Sequence, residues 1–100
     1  MMKFLYVYRG GEVPENQSDQ NIRELWEWLD RMKESGYEKV RFAGFGRKVV
    51  TQHAVTDYAG DLFGVSVIEA DSLEEAIKLT SDWPELRYGG RIEIMEALDD

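Results

Sequence analysis

The apolar positions of this chain change period as it runs, and the changes mark its elements. Residues 3–8, KFLYVY, alternate with period two. Phe4, Tyr6 and Tyr8 point one way and Leu5 and Val7 the other, which predicts a strand with apolar groups on both faces. The run 10–20, GGEVPENQSDQ, is polar and predicts a loop, with Ser18 or Asp19 placed to cap a following helix. Ile22, Leu25, Trp26, Leu29 and Met32 then recur at helical spacing as one apolar stripe, opposite Glu24, Glu27, Arg31 and Glu34. Gly36 is a natural stop. Trp28 falls beside the stripe, either by chance or as the rim of a subunit interface.

Residues 39–57, KVRFAGFGRKVVTQHAVTD, read as two extended pieces interrupted by Gly44 and Gly46, which predict a bulge or turn. LFGVSVIEA (62–70) reads as a strand with Phe63, Val65 and Val67 on one face and Leu62, Ile68 and Ala70 on the other. DSLEEAIKLTSDWP opens with a capping box, Ser72 to Glu75, and continues as a helix in which Leu73, Ala76, Ile77 and Thr80 share a face. Trp83-Pro84 ends it, because a residue before proline is pushed out of helical geometry. RIEIMEA (91–97) alternates as a last strand, and the acidic LDD end is expected to fray.

The order β-α-β-β-α-β predicts an α+β, ferredoxin-like domain over residues 1–100, a four-stranded antiparallel sheet with two helices on one face. Apolar groups on both faces of the first and third strands require cover for the second sheet face. A second copy would supply it, as a back-to-back homodimer or a dimeric α+β barrel.

Composition narrows the chemistry. Of 100 residues 43% are hydrophobic, enough for one core, and the formal charge of −8 disfavours nucleic acid as a partner. With no cysteine and one histidine, disulfides, thiolate metal sites and a histidine-rich metal site are excluded, so no metal and no cofactor are expected. FLYVY is too short for a signal-peptide core or a membrane span, and a soluble, cytoplasmic protein without a membrane partner is expected.

The single histidine, His53, stands in TQHAVTDY with Asp57 four positions on. As an acid–base pair they would need contact, yet a regular strand separates them by about 13 Å at roughly 3.3 Å per residue. Contact therefore requires a turn, another strand or another subunit; otherwise His53 is a strand residue and Asp57 a turn cap. Tyr6 and Tyr8, with Phe4, either line a small-molecule cavity or pack on a dimer partner. GFGRK (44–48) lacks the Gly-Lys-Ser/Thr ending of a nucleotide loop, although Arg47 and Lys48 suit an anionic ligand at the sheet edge. No G-x-S-x-G is present, and Glu74-Glu75 fit the start of a helix.

MKFLYVY, MKESGYEKVRFAG and the long run from Val55 to Leu98, above all Val55 to Pro84, resemble the YCII-related proteins and especially their DGPF-type branch. The resemblance implies a ferredoxin-like dimer with a cavity between sheet and partner, in a family many of whose members have no established activity. The branch's Asp-Gly-Pro-Phe is here Asp57 followed by Tyr58, Ala59 and Gly60. A histidine near the first helix, which in other members pairs with an aspartate near the second, is missing, and Asp82 is the only trace of that pair.

The resulting expectation is a small dimeric α+β-barrel protein binding a small organic molecule in a sheet-side cavity, with cofactor-free catalysis left open. His53 and Asp57 would be the acid–base groups, and Tyr6, Tyr8, Arg47 and Tyr58 the ligand-binding ones. The alternative is a non-catalytic interaction or ligand-sensing protein whose sheet face is only a dimer core.

Overall fold

Strand β1 (Met2–Arg9) runs between β5 (Leu62–Ala70) and β6 (Arg91–Glu96), and β2 (Glu38–Ala43) pairs with the far side of β5. The computed structural model describes residues 1–98; Asp99 and Asp100, in the tail expected to fray, lie outside them. The four strands form one antiparallel sheet of order β2-β5-β1-β6. Helices α1 (Ser18–Glu34) and α2 (Leu73–Lys78) cover one face of it, so the fold is α+β and ferredoxin-like, as the order of elements predicts. The extended pieces expected within 39–57 separate into β2 and an inserted hairpin, β3 (Lys48–Val50) with β4 (Val55–Asp57), which forms a two-stranded sheet of its own.

Phe4, Tyr6 and Tyr8 lie beneath the helices and are the centre of the core, with Trp28, Met32, Ile68, Ala76 and Trp83. The Tyr8 ring stacks on Trp83 at 5.4 Å between centroids and meets Trp28 edge-on at 6.3 Å. Leu5 and Val7 face the other way, as do Val40, Phe42, Val65, Val67 and Met95 through the register Leu5↔Met95, Val40↔Val67 and Phe42↔Val65. Among the described residues no helix covers this second face.

Trp28 corrects the expected stripe. It is only 2% exposed, while Trp26 and Ile22, placed within the stripe by spacing, are each 49% exposed. The buried line of α1 runs Asn21, Trp28 and Met32, rotated from the apolar stripe because two polar side chains are drawn inward. Asn21 Nδ2 donates to Glu85 Oε1 (2.8 Å) and the Trp28 indole donates to Asp82 Oδ1 (2.8 Å). Buried polar groups with such partners compete with apolar spacing in choosing the buried side. Neither Ser18 nor Asp19 caps α1: a 3-10 turn over Glu15–Gln17 leads directly into it, and Gln17 makes no capping bond.

Gly36 ends α1 as expected, with φ +86°, and Tyr37 N–H donates back to Met32 O at 2.9 Å. Ser72 Oγ accepts from Glu75 N–H (3.0 Å), while the Glu75 carboxylate accepts from Asp71 N–H, one residue before the position of the usual box. α2 stops at Lys78, short of Trp83-Pro84, and turns carry the chain to a second 3-10 segment, Pro84–Tyr88.

Two strand irregularities position the side chains discussed below. On β5, Tyr8 pairs with Gly64 but Arg9 with Leu62, so Phe63 is an extra residue and its ring turns to the helix side, 6.3 Å from Tyr8. Phe63 is thereby removed from the face it was expected to share with Val65 and Val67. On β2, Glu38 pairs with Ile68 but Val40 with Val67, so Lys39 is extra and Glu38 falls on the same face as Arg41.

Candidate functional site

Between the exposed flank of α1 and the free edge of the sheet lies a cavity of about 590 Å³. Ile22, Leu25, Trp26 and Leu29 of α1 form one wall; Phe63 and Gly64 of β5 and the stretch from Arg41 to Phe45 form the rest. Residues of both sheet faces border it, among them Phe42 and Val65, so it reaches round the edge strand β2. Its lining is mostly apolar and aromatic, the character of a site for a small organic molecule.

Hydrogen-bonded polar groups gather at one corner. Tyr8 and Ser66 belong to the lining; the Tyr8 hydroxyl donates to Ser66 Oγ (2.8 Å), and Ser66 Oγ donates to Glu38 Oε2 (2.5 Å). Glu38 is buried and does not itself line the cavity. Arg41, which does, holds the other carboxylate oxygen with Nε at 2.6 Å and reaches Asp30 with Nη1 at 3.1 Å. Its Nη2 also stands 2.6 Å from Glu38 Oε1 but makes no hydrogen bond of its own, and it is shut off from solvent.

Burial pushes the Tyr8 phenol far above the usual tyrosine range; the Ser66 bond and Arg41 oppose this, and the charge on Glu38 adds to it. Tyr8 is therefore a neutral hydroxyl across the physiological range. Burial likewise raises Tyr6, with the charge on Glu75 adding.

Tyr6 does not line this cavity. It is fully buried, and its hydroxyl donates to the carbonyl of Ala76, tying β1 to α2. Arg47 does line it, and its guanidinium lies over the Tyr58 ring at 5.6 Å. Among the described residues no carboxylate is paired with Arg47. Tyr58 stands at the root of the hairpin, its hydroxyl accepting from Arg9 Nη1 (3.1 Å) and Leu62 N–H (3.2 Å). The Tyr58 hydroxyl sits 2.2 Å from where a Cβ on Gly60 would be, so a side chain there would push the Tyr58 ring from its bonds to Arg9 and Leu62.

His53 is exposed at the hairpin tip, in the turn closed by Thr51 N–H donating to Ala54 O (2.9 Å). Asp57 is on β4, its side chain 87% exposed, and pairs across the hairpin with Lys48. TQHAVTDY is thus a turn and then a short strand, and within one chain His53 and Asp57 are not brought together. Asp82 takes the Trp28 indole, not a histidine.

Glu38, Ser66 and Arg41 were not singled out from the sequence. Ser66 alone left a signal, as the one polar residue on the face of β5 that carries Ile68 and Ala70. Among the described residues, no three His, Asp or Glu side chains cluster as a metal site would need, and no helix is long and apolar enough to cross a membrane.

No curated protein matches the chain. Among solved structures it is similar to 5-chloro-2-hydroxyhydroquinone dehydrochlorinase from Burkholderia phenoliruptrix, in complex with 2,5-dihydroxybenzoquinone. That likeness covers 92% of this chain and 90% of the other, at a TM-score of 0.57 and 16% identity, and it is a likeness of fold. The family model of the YCII-related domain matches residues 2–98, nearly the whole sequence, and the chain belongs to that family.

Proposed function

We propose that the protein binds a small, flat organic molecule in the cavity between α1, β2 and β5. The observation that carries this reading is the pairing of apolar, aromatic walls with a single polar corner, Tyr8, Ser66 and Arg41. Such a site gains affinity from ring contact with Trp26, Phe42 and Phe63 and orients its ligand through a few hydrogen bonds. Arg47 adds a cation at the rim, which suits a ligand bearing an oxyanion or an electron-rich carbonyl.

The protein acts as a homodimer in this reading. Val40, Phe42 and Met95 are each more than half exposed on the sheet face without helices, and a second copy covers them. Dimer face and ligand site meet at Phe42 and Val65 on the sheet edge and otherwise use different residues, because the rest of the cavity lies on the helix side. An acid–base role for His53 and Asp57 would require the hairpin to carry both into a cavity against the pairing of Asp57 with Lys48, so neither is assigned to this site.

The dehydrochlorinase ligand, 2,5-dihydroxybenzoquinone, is a flat oxygenated ring and serves as the first probe. Titrating it into labelled protein should shift the Trp26 indole and the amides of residues 41–45 and 63–66, and Trp26→Ala should weaken binding about tenfold. Shifts centred on the hairpin tip, or unchanged affinity in Trp26→Ala, would refute the placement. Sedimentation should give a dimer that Met95→Glu converts to a folded monomer.

A further inference from the structure

The polar corner of the cavity has a direction. A carboxylate can only accept hydrogen bonds, so Ser66 must spend its one proton on Glu38. Tyr8 must then donate to Ser66. Donors thus point inward from the cavity wall to a buried carboxylate, and the lone pairs of the Tyr8 oxygen are left for an incoming donor. Glu38 faces Arg41 on its own strand, Asp30 of α1 behind Arg41, Ser66 on β5, and Tyr8 with Tyr6 on β1.

We propose that Glu38 is the proton acceptor of this cavity, and that the ligands are small molecules with an acidic O–H, a phenol or an enol, whose proton it takes through Tyr8 and Ser66. The proposal rests on the cavity reading above. As the ligand O–H bond breaks, its proton bonds to the Tyr8 oxygen, the Tyr8 proton passes to Ser66 Oγ, and the Ser66 proton passes to Glu38 Oε2. Each oxygen keeps its electron pairs: the ligand is left an oxyanion, Glu38 a neutral acid, and both hydroxyls regain their protons.

Three features support this route. The distances, 2.8 and 2.5 Å, are those of hydrogen bonds along which protons move without large displacement of heavy atoms. Tyr8 is too weak an acid to hold charge itself, so it conducts and does not store it. The negative charge leaves Glu38, where Arg41 keeps Asp30 as a second partner, for a ligand on a wall shared with Arg47, a cation without a carboxylate partner among the described residues. The same arrangement would serve a reaction that begins by ionising a hydroxylated ring or an enol.

A nitrophenol that ionises near neutral pH separates the two claims, because binding is read by calorimetry and ionisation by the yellow colour of its phenolate. At a pH one unit below its own pKa, about a tenth of the free phenol is ionised. The wild-type protein should bind it and raise the ionised fraction of the bound molecules severalfold. Ionisation is read on the bound molecules at saturating ligand, because Tyr8→Phe also loses a polar contact of the site. Glu38→Gln and Tyr8→Phe should leave the bound phenol mostly neutral, and Tyr8→Phe decides the matter if Glu38→Gln does not fold. Absence of binding to wild type refutes the cavity reading and the relay with it. Binding without added ionisation leaves the cavity standing and overturns the relay. Equal ionisation in wild type and Tyr8→Phe also overturns it, and assigns the effect to the cations of the wall.

Discussion

Cutting the buried hydroxyl chain at Ser66 should cost more than cutting it at Tyr8, and cutting both should cost less than the sum. Tyr8→Phe removes a donor and leaves Ser66 bonded to Glu38, a loss of about 1 kcal/mol for one neutral hydrogen bond. Ser66→Ala leaves two buried groups without their partners, the Tyr8 hydroxyl and one oxygen of Glu38. An orphaned buried polar group costs roughly 1–3 kcal/mol, towards the upper end for a charged one, so about 3–4 kcal/mol is expected for the pair. In the double variant the phenol is gone and only the Glu38 oxygen is orphaned, leaving about 2–3 kcal/mol.

The singles therefore sum to about 4–5 kcal/mol against 2–3 for the double, a coupling of about 2 kcal/mol. Equilibrium unfolding in urea for the four proteins of the cycle measures it, with a common denaturant slope as the check that the unfolded states match. Additivity within about 0.5 kcal/mol would show that the two hydroxyls are not one chain. The donor directions, and the relay inferred from them, would then fail without any ligand having been tested.

Other consequences are as specific. Trp28→Phe loses the indole donor to Asp82 and some core volume and should cost about 2–3 kcal/mol, whereas Asp82→Asn keeps an accepting oxygen and should cost under about 1 kcal/mol in the same unfolding assay. Tyr6 and Tyr8 ionise far above the 10.0 of a free phenol, so their contribution is intact below pH 10, where the unfolded chain also keeps both protons, and it falls as pH rises beyond that. Unfolding free energies from urea titrations should drop above pH 10 with a slope approaching about 1.4 kcal/mol per pH unit for each tyrosine, and Tyr6→Phe should remove one share of it. His53→Ala and Asp57→Asn should leave the affinity of the quinone probe within about twofold by calorimetry; a tenfold loss in either would place the hairpin at the site.

What could be read from the sequence and what could not divide at the strand irregularities. Period-two alternation assigned β1 correctly over residues 3–8, since Phe4 to Tyr8 pair without interruption on both sides. It could not say which face the helices would take: both tyrosines, expected at a cavity or partner, lie under α1 and α2, where Tyr8 borders the cavity and Tyr6 does not. On β2 the same rule puts Glu38 and Arg41, three apart, on opposite faces, and only the extra residue Lys39 brings them together. On β5 it sets Phe63 beside Val65, and only the bulge turns that ring against Tyr8 and Trp83. A bulge leaves little trace in composition, because what it changes is a count of residues between partners on different strands. The sites built on these two bulges were therefore hidden, whereas His53, conspicuous by residue type, sits on a hairpin whose strands bond to each other and not to the main sheet. Residue type announces what a side chain is able to do, but register decides whether it meets anything, and in this chain one inserted residue on β2 is what sets a carboxylate behind Ser66 and Tyr8.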